Sequence, residues 1–127
     1  MVIGQYLAVG AGGALGAMLR YWLSTRVAGV MGFTFPWGTL TVNVLGSFLV
    51  GIFMVLLAGK TPGTELWRLG LVVGVLSGFT TFSAFSSDTL SLLEAEQWFR
   101  AMVYIASSIL LCVVAAASGV AAARQVF

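Results

Sequence analysis

The chain has 127 residues, of which 60% are hydrophobic and 8% charged, with six basic residues against four acidic, no histidine and one cysteine. A soluble domain carries roughly 25% charged residues, and a chain this short folded in water would still expose a large share of that apolar surface, so lipid is the solvent for most of it. The net charge of +2 offers no basic face to nucleic acid, Cys112 has no partner in the chain and no metal-ligand spacing exists, and without histidine or an acid–base pair placed together an enzyme is not indicated.

The charged residues divide the chain into the uncharged runs Met1–Leu19, Val27–Gly59, Leu69–Ser87 and Ala101–Ala123. A spanning helix needs about 20 mostly apolar residues, which predicts an all-α membrane protein, one domain over 1–127, with four transmembrane helices. Span 1 is expected over Ile3 to Thr25. It lacks a basic n-region and an A-x-A cleavage site, so it reads as a retained helix rather than a signal peptide. Gly12, Gly13 and Gly16 allow close backbone approach, and Arg20 and Arg26 stand near its end, where they can snorkel. A loop around Gly29 to Pro36 follows, with Phe33, Phe35 and Trp37 at headgroup depth.

Span 2 is expected over Gly38 to Ala58, and the turn Lys60-Thr61-Pro62-Gly63 stops it. Span 3 starts near Leu66, with Gly70, Gly74 and Gly78 making one smooth face. Between Gly78 and Ser83, β-branched threonine and back-bonding serine compete with the helical ladder, which predicts a helix broken mid-membrane. Such breaks are tolerated where they line a cavity or are buried in protein. Span 4 is expected over Trp98 to Ala123.

Four spans put both termini on one side. Lys60, Arg68 and Arg124 then face one side and Arg20, Arg26 and Arg100 the other. Orientation follows the excess of Lys and Arg, and a three-to-three balance predicts insertion both ways. Copies of opposite orientation would assemble as an antiparallel dual-topology homodimer.

Polar residues recur at steps of four on two spans: Thr39, Asn43 and Ser47 on span 2, and Tyr104, Ser108 and Cys112 on span 4. Each set shares one helix face. The bland account is hydrogen-bonding glue between helices; the sharper one is a hydrophilic track. Asn43 sits mid-span with two donors to satisfy. No acidic group lies deep in spans 1, 2 or 4, so a proton-binding membrane carboxylate is missing there. Neutral donors suit a small anion that must also leave. Phe82 and Phe85 stand beside the expected break, and the positive edge of an aromatic ring can meet an anion. Asp88 falls near the end of span 3 or just past its break. It is expected to matter less than Asn43 if it lies outside the anion path.

Gly38-Thr39-Leu40-Thr41-Val42-Asn43, and Gly78-Phe79-Thr80-Thr81-Phe82-Ser83-Ala84-Phe85-Ser86, resemble the two signature segments of the CrcB/Fluc fluoride channels. Gly12-Gly13-Ala14-Leu15-Gly16 followed by Leu19-Arg20-Tyr21 is similar to that family's first helix. The resemblance covers essentially the whole chain. It implies an antiparallel dimer with two pores, each lined by both subunits, exporting fluoride across the cell inner membrane. Fluoride would pass Phe82, Phe85 and Asn43 and a track matching Tyr104, Ser108 and Cys112. Thr39, Thr81, Ser83 and Arg20 fall on the same matching segments and are assigned to the pore with them. A structural sodium ion at the dimer centre would be held by the backbone carbonyls of Ser77 and Thr80. Ser77 stands where the family often has glycine, Cys112 replaces a serine, Ala84 replaces a hydroxyl residue, and Asp88 stands where glutamate is common. A small multidrug-type antiporter shares the outline but needs a glutamate in span 1, which Met1–Leu19 lacks. A non-transporting membrane scaffold, with the stripes as glue, is the remaining alternative.

Overall fold

The computed structural model describes residues 2–58 and 63–127. Among them are four helices long and apolar enough to cross a membrane: Val2–Met31, Trp37–Leu56, Glu65–Glu94 and Trp98–Val126. The first two are α1 (Val2–Met31) and α2 (Trp37–Leu56). The third span is composite: α3 (Thr64–Arg68), a π-helical segment (Leu69–Leu76), α4 (Ser77–Phe79), two extended residues, then α5 (Phe82–Glu94). The last span is α6 (Trp98–Val126).

The ends differ from expectation for local reasons. α1 continues past Thr25 through Gly29 to Met31, because Val27, Val30 and Met31 extend its apolar run. It stops at Gly32, whose φ of +91° is the left-handed conformation that glycine adopts at a helix C-terminus without a Cβ penalty. The expected loop shrinks to residues 32–36, and α2 follows Pro36 directly. α2 ends at Leu56, two residues before Ala58. Lys60, Thr61 and Pro62 of the expected turn lie outside the described residues, while Gly63, at φ +95°, opens α3.

The glycine faces meet one another. A Cβ on Gly12 would overlap the Gly70 carbonyl oxygen, and one on Gly16 the Val75 carbonyl oxygen. Seen from the other side, a Cβ on Gly74 would stand 2.9 Å from Gly12 Cα. α2 and α6 are joined the same way, Gly51 against the Ala116 carbonyl and Gly119 against the Phe48 carbonyl. Lipid supplies no hydrophobic drive between helices, so such van der Waals fits carry the association. The π segment was not anticipated. Gly70 and Gly74 weaken the α-helical preference there, and the tight seat on α1 holds the wider turn in place. Large apolar side chains such as Tyr6, Val30, Phe99 and Val113 stand exposed, as a lipid-facing surface requires.

Candidate functional site

The third span breaks at Thr80 and Thr81, inside the predicted window. Thr80 has φ −79° and ψ 153°, and Thr81 φ −151° and ψ 118°, so both are extended. The last helical bond before the break runs from Thr80 N–H to the Leu76 carbonyl, 2.9 Å, and Thr80 Oγ1 donates to the same oxygen at 3.0 Å. Thr81 then starts α5 as its N-cap, its Oγ1 accepting from Ala84 N–H at 3.1 Å and pairing with Ser83 Oγ at 3.0 Å. Threonine is a favoured cap because its oxygen satisfies an orphan N–H of the first turn.

Two side chains from other spans hold this opening. Asn43 of α2 grips Thr81 twice: Oδ1 accepts its N–H at 2.8 Å, and Nδ2 donates to its carbonyl at 3.1 Å. An amide is the right group, since it carries a donor and an acceptor side by side. One N–H of the Asn43 amide remains for another acceptor. Arg20 of α1 donates from Nε to the Gly78 carbonyl, 3.1 Å. The snorkelling expected of Arg20 is therefore corrected. It lies about three turns before the end of α1 and turns inward to cap a carbonyl whose helical partner, Phe82 N–H, belongs to the next helix. The break also diverts the partners of two further carbonyls. Thr81 N–H, the helical partner of Ser77, goes to Asn43, and Ala84 N–H, the partner of Thr80, goes to Thr81 Oγ1.

Beside the break lies an open cavity of about 430 Å³ whose walls include Asn43, Ser47, Thr81, Phe82, Phe85, Ser108 and Cys112. Among the described residues, no Asp, Glu, Lys or Arg lines it. The Phe82 and Phe85 ring centroids are 5.4 Å apart, tilted by 47°. Phe82 is 77% exposed, so its ring stands on an open face of the single chain. A second cavity, about 800 Å³, opens toward the α1–α2 connection, with Thr39, Asp88, Ser91 and Gln97 among its walls.

Tyr104 lines neither cavity but packs against Phe85 from the wall of the first and Phe35 from the wall of the second. Its side chain is fully buried, packed on Phe85 (5.1 Å) and edge-on to Phe35 (5.6 Å). Its hydroxyl donates to Asp88 Oδ2 at 3.1 Å. Of the two predicted stripes, Asn43, Ser47, Ser108 and Cys112 line the first cavity and Thr39 the second, while Tyr104 is buried and lines neither. Ser83 reaches the group through Thr81. Arg20 lies apart from both cavity walls and acts on the break. Asp88 is the residue that sequence reasoning set aside. It lines the larger cavity and accepts the Tyr104 hydroxyl proton, and the signals for it were a carboxylate within about two turns of Phe82 and Phe85 on one short helix and its place where the resembled family commonly has glutamate.

A family model described as CrcB-like protein, Camphor Resistance (CrcB), matches residues 7–120. The fluoride-specific ion channel FluC of Geobacter sulfurreducens is 45% identical over 119 residues, 94% of this chain and 96% of the relative. The protein of the same description from Legionella pneumophila is 47% identical over 105 residues, 83% of this chain and 78% of its own length. That from Rhizobium johnstonii is 45% identical over 120 residues, 94% and 96%.

Proposed function

The chain belongs to the CrcB family, and on that premise we propose that it is a fluoride-specific ion channel of the cell inner membrane, through which cytoplasmic fluoride leaves by passive electrodiffusion. It is a channel, not an enzyme. The observation that carries the path is the cavity beside the break, whose described lining holds an amide, two aromatic rings, several hydroxyls and a thiol and no Asp, Glu, Lys or Arg. Fluoride is small and strongly hydrated, so the walls must offer donors in place of water. The free N–H of Asn43 and the ring edges of Phe82 and Phe85 would do so beside the break, with Ser108 and Cys112 continuing the track. A fixed cation in the same wall would bind the anion too tightly for it to leave.

A single chain provides half of each path. Phe82, Ser77 and Ser83 stand exposed on the face that carries the break, and a second, antiparallel copy would cover them and build two pores. Arg20, turned inward, leaves three basic residues against two at the membrane surfaces, still without a strong bias for one orientation. The freed carbonyls of Ser77 and Thr80 are hard oxygen donors that fit a sodium ion at the dimer centre, and when bound it would supply a fixed positive charge between the two breaks. Unpaired carbonyls at membrane depth cost several kcal/mol each, which favours such a partner.

The direct test is fluoride efflux from liposomes containing the purified protein, with chloride as control. Fluoride flux well above that of empty liposomes, with little chloride flux, is expected. Liposomes as tight to fluoride as empty ones would refute the channel.

A further inference from the structure

The larger cavity is not used by the path proposed above. Its walls combine one carboxylate, Asp88, with three aromatic residues, Phe33, Phe35 and Trp37. No Lys or Arg is among the described residues lining it, so its character is anionic. Tyr104 joins the two kinds of group from behind the wall: its hydroxyl donates to Asp88 Oδ2 at 3.1 Å, and its ring centroid lies 5.6 Å from that of Phe35. That bond leaves Asp88 Oδ1 for a ligand, and among the described residues no ion pair engages the carboxylate. Phe35 and Trp37 are half-buried and pack on the cluster of Leu40, Leu92, Ala101 and Tyr104. Their centroids are 4.7 Å apart and their planes tilted by 51°, so both rings are held in place before any ligand arrives.

A carboxylate can partner any cation, but its surroundings narrow the choice. A hard metal ion wants a shell of oxygen ligands, and among the described residues no three His, Cys, Asp or Glu side chains gather to supply one. The negative face of an aromatic ring attracts instead a weakly hydrated cation with apolar surface of its own, above all a quaternary ammonium. About 800 Å³ lies in the range of pockets that take small organic molecules. Pro36 and Leu92, also in the wall, offer apolar surface for further substituents. We propose that this cavity is a binding site for an organic ammonium ion, its charge set beside Asp88 and its alkyl groups against Phe35 and Trp37. Ser91 and Gln97 can bond a hydroxyl or carbonyl on the same ligand. The site stands apart from the fluoride reading, and its occupancy is measured without transport.

The test is equilibrium dialysis of radiolabelled choline against the purified protein in a maltoside detergent, which has no ammonium group of its own. Saturable binding is expected. The neutral analogue with a tert-butyl group in place of the trimethylammonium should compete at least tenfold more weakly. Asp88→Asn should weaken choline binding roughly tenfold, and Phe35→Leu, which keeps apolar bulk without the ring face, about fivefold. Ser91→Lys leaves Asp88 and both rings in place and puts a competing ammonium in the wall, so it should abolish binding, and it carries the test if Asp88→Asn does not fold. Gel filtration checks that each variant elutes as the parent does. Choline also heads a lipid, so dihexanoylphosphatidylcholine is a further competitor; its phosphate would meet Asp88, and it should displace the label less well than choline does. Absence of saturable binding, an equally effective neutral analogue, or parent-like binding by the folded Asp88→Asn or Ser91→Lys protein overturns the site. Stronger displacement by the lipid overturns its assignment to a free ion.

Discussion

Replacing Asn43 by aspartate keeps the size of the side chain and reverses one of its two bonds. Oδ1 still accepts Thr81 N–H, now 2.8 Å from a carboxylate, but the Nδ2 that donated to the Thr81 carbonyl at 3.1 Å becomes an oxygen facing an oxygen. The lost bond and the carbonyl left unpaired cost about 1–3 kcal/mol, which loosens the break. The new negative charge acts on the permeating ion itself. A fluoride ion passing about 5 Å from that charge is repelled by about 3 kcal/mol at an effective dielectric constant near 20. That alone slows permeation roughly a hundredfold. Asn43→Ala separates the two effects: it loses the clamp but adds no charge, so its flux should fall between those of the parent and the aspartate variant. Fluoride efflux from liposomes reads both, with gel filtration checking that each variant elutes as the parent does. An aspartate variant that conducts at the parent rate would refute the placing of Asn43 on the anion path. Alanine and aspartate variants that are equally slow would show that the clamp, and not the charge, sets the rate.

Phe82→Ile and Phe85→Ile keep apolar bulk but remove the ring edge, and each should cut fluoride flux roughly tenfold without changing the gel-filtration profile; parent-like flux in both would remove the rings from the path. Gly16→Ala places a methyl group on the Val75 carbonyl, an overpacking that should cost about 1–3 kcal/mol and appear as a lower melting temperature in detergent. Gly10→Ala, with open space at its Cβ, should leave the melting temperature unchanged or raise it. Reporters fused to the C-terminus and active on only one side of the membrane should give signal on both sides, and two lysines inserted after Ala58 should shift that balance; signal on one side alone in the unmodified chain would exclude dual topology.

The sequence by itself determined the number of spans, the two glycine faces and the window of the break. All three follow from properties that add up locally. Runs without charge are long enough to cross a bilayer, glycines spaced by four share a face, and Thr80, Thr81 and Ser83 compete with the helical ladder wherever they stand. The stripe from Asn43 through Ser47, and from Tyr104 through Ser108 to Cys112, was legible for the same reason of helical period. The partners of those side chains were not. That Asn43 clamps Thr81, that Arg20 turns away from the interface to the Gly78 carbonyl, and that Tyr104 gives its proton to Asp88 each depend on how two spans are set against each other in height and rotation. Glycine contacts set α1 against the π segment and α2 against α6, which fixes part of that arrangement. A hydrogen bond tolerates errors of only a few tenths of an ångström, whereas hydropathy and period are satisfied over a whole turn of helix, so the choice of acceptor for each donor was left to the tertiary structure.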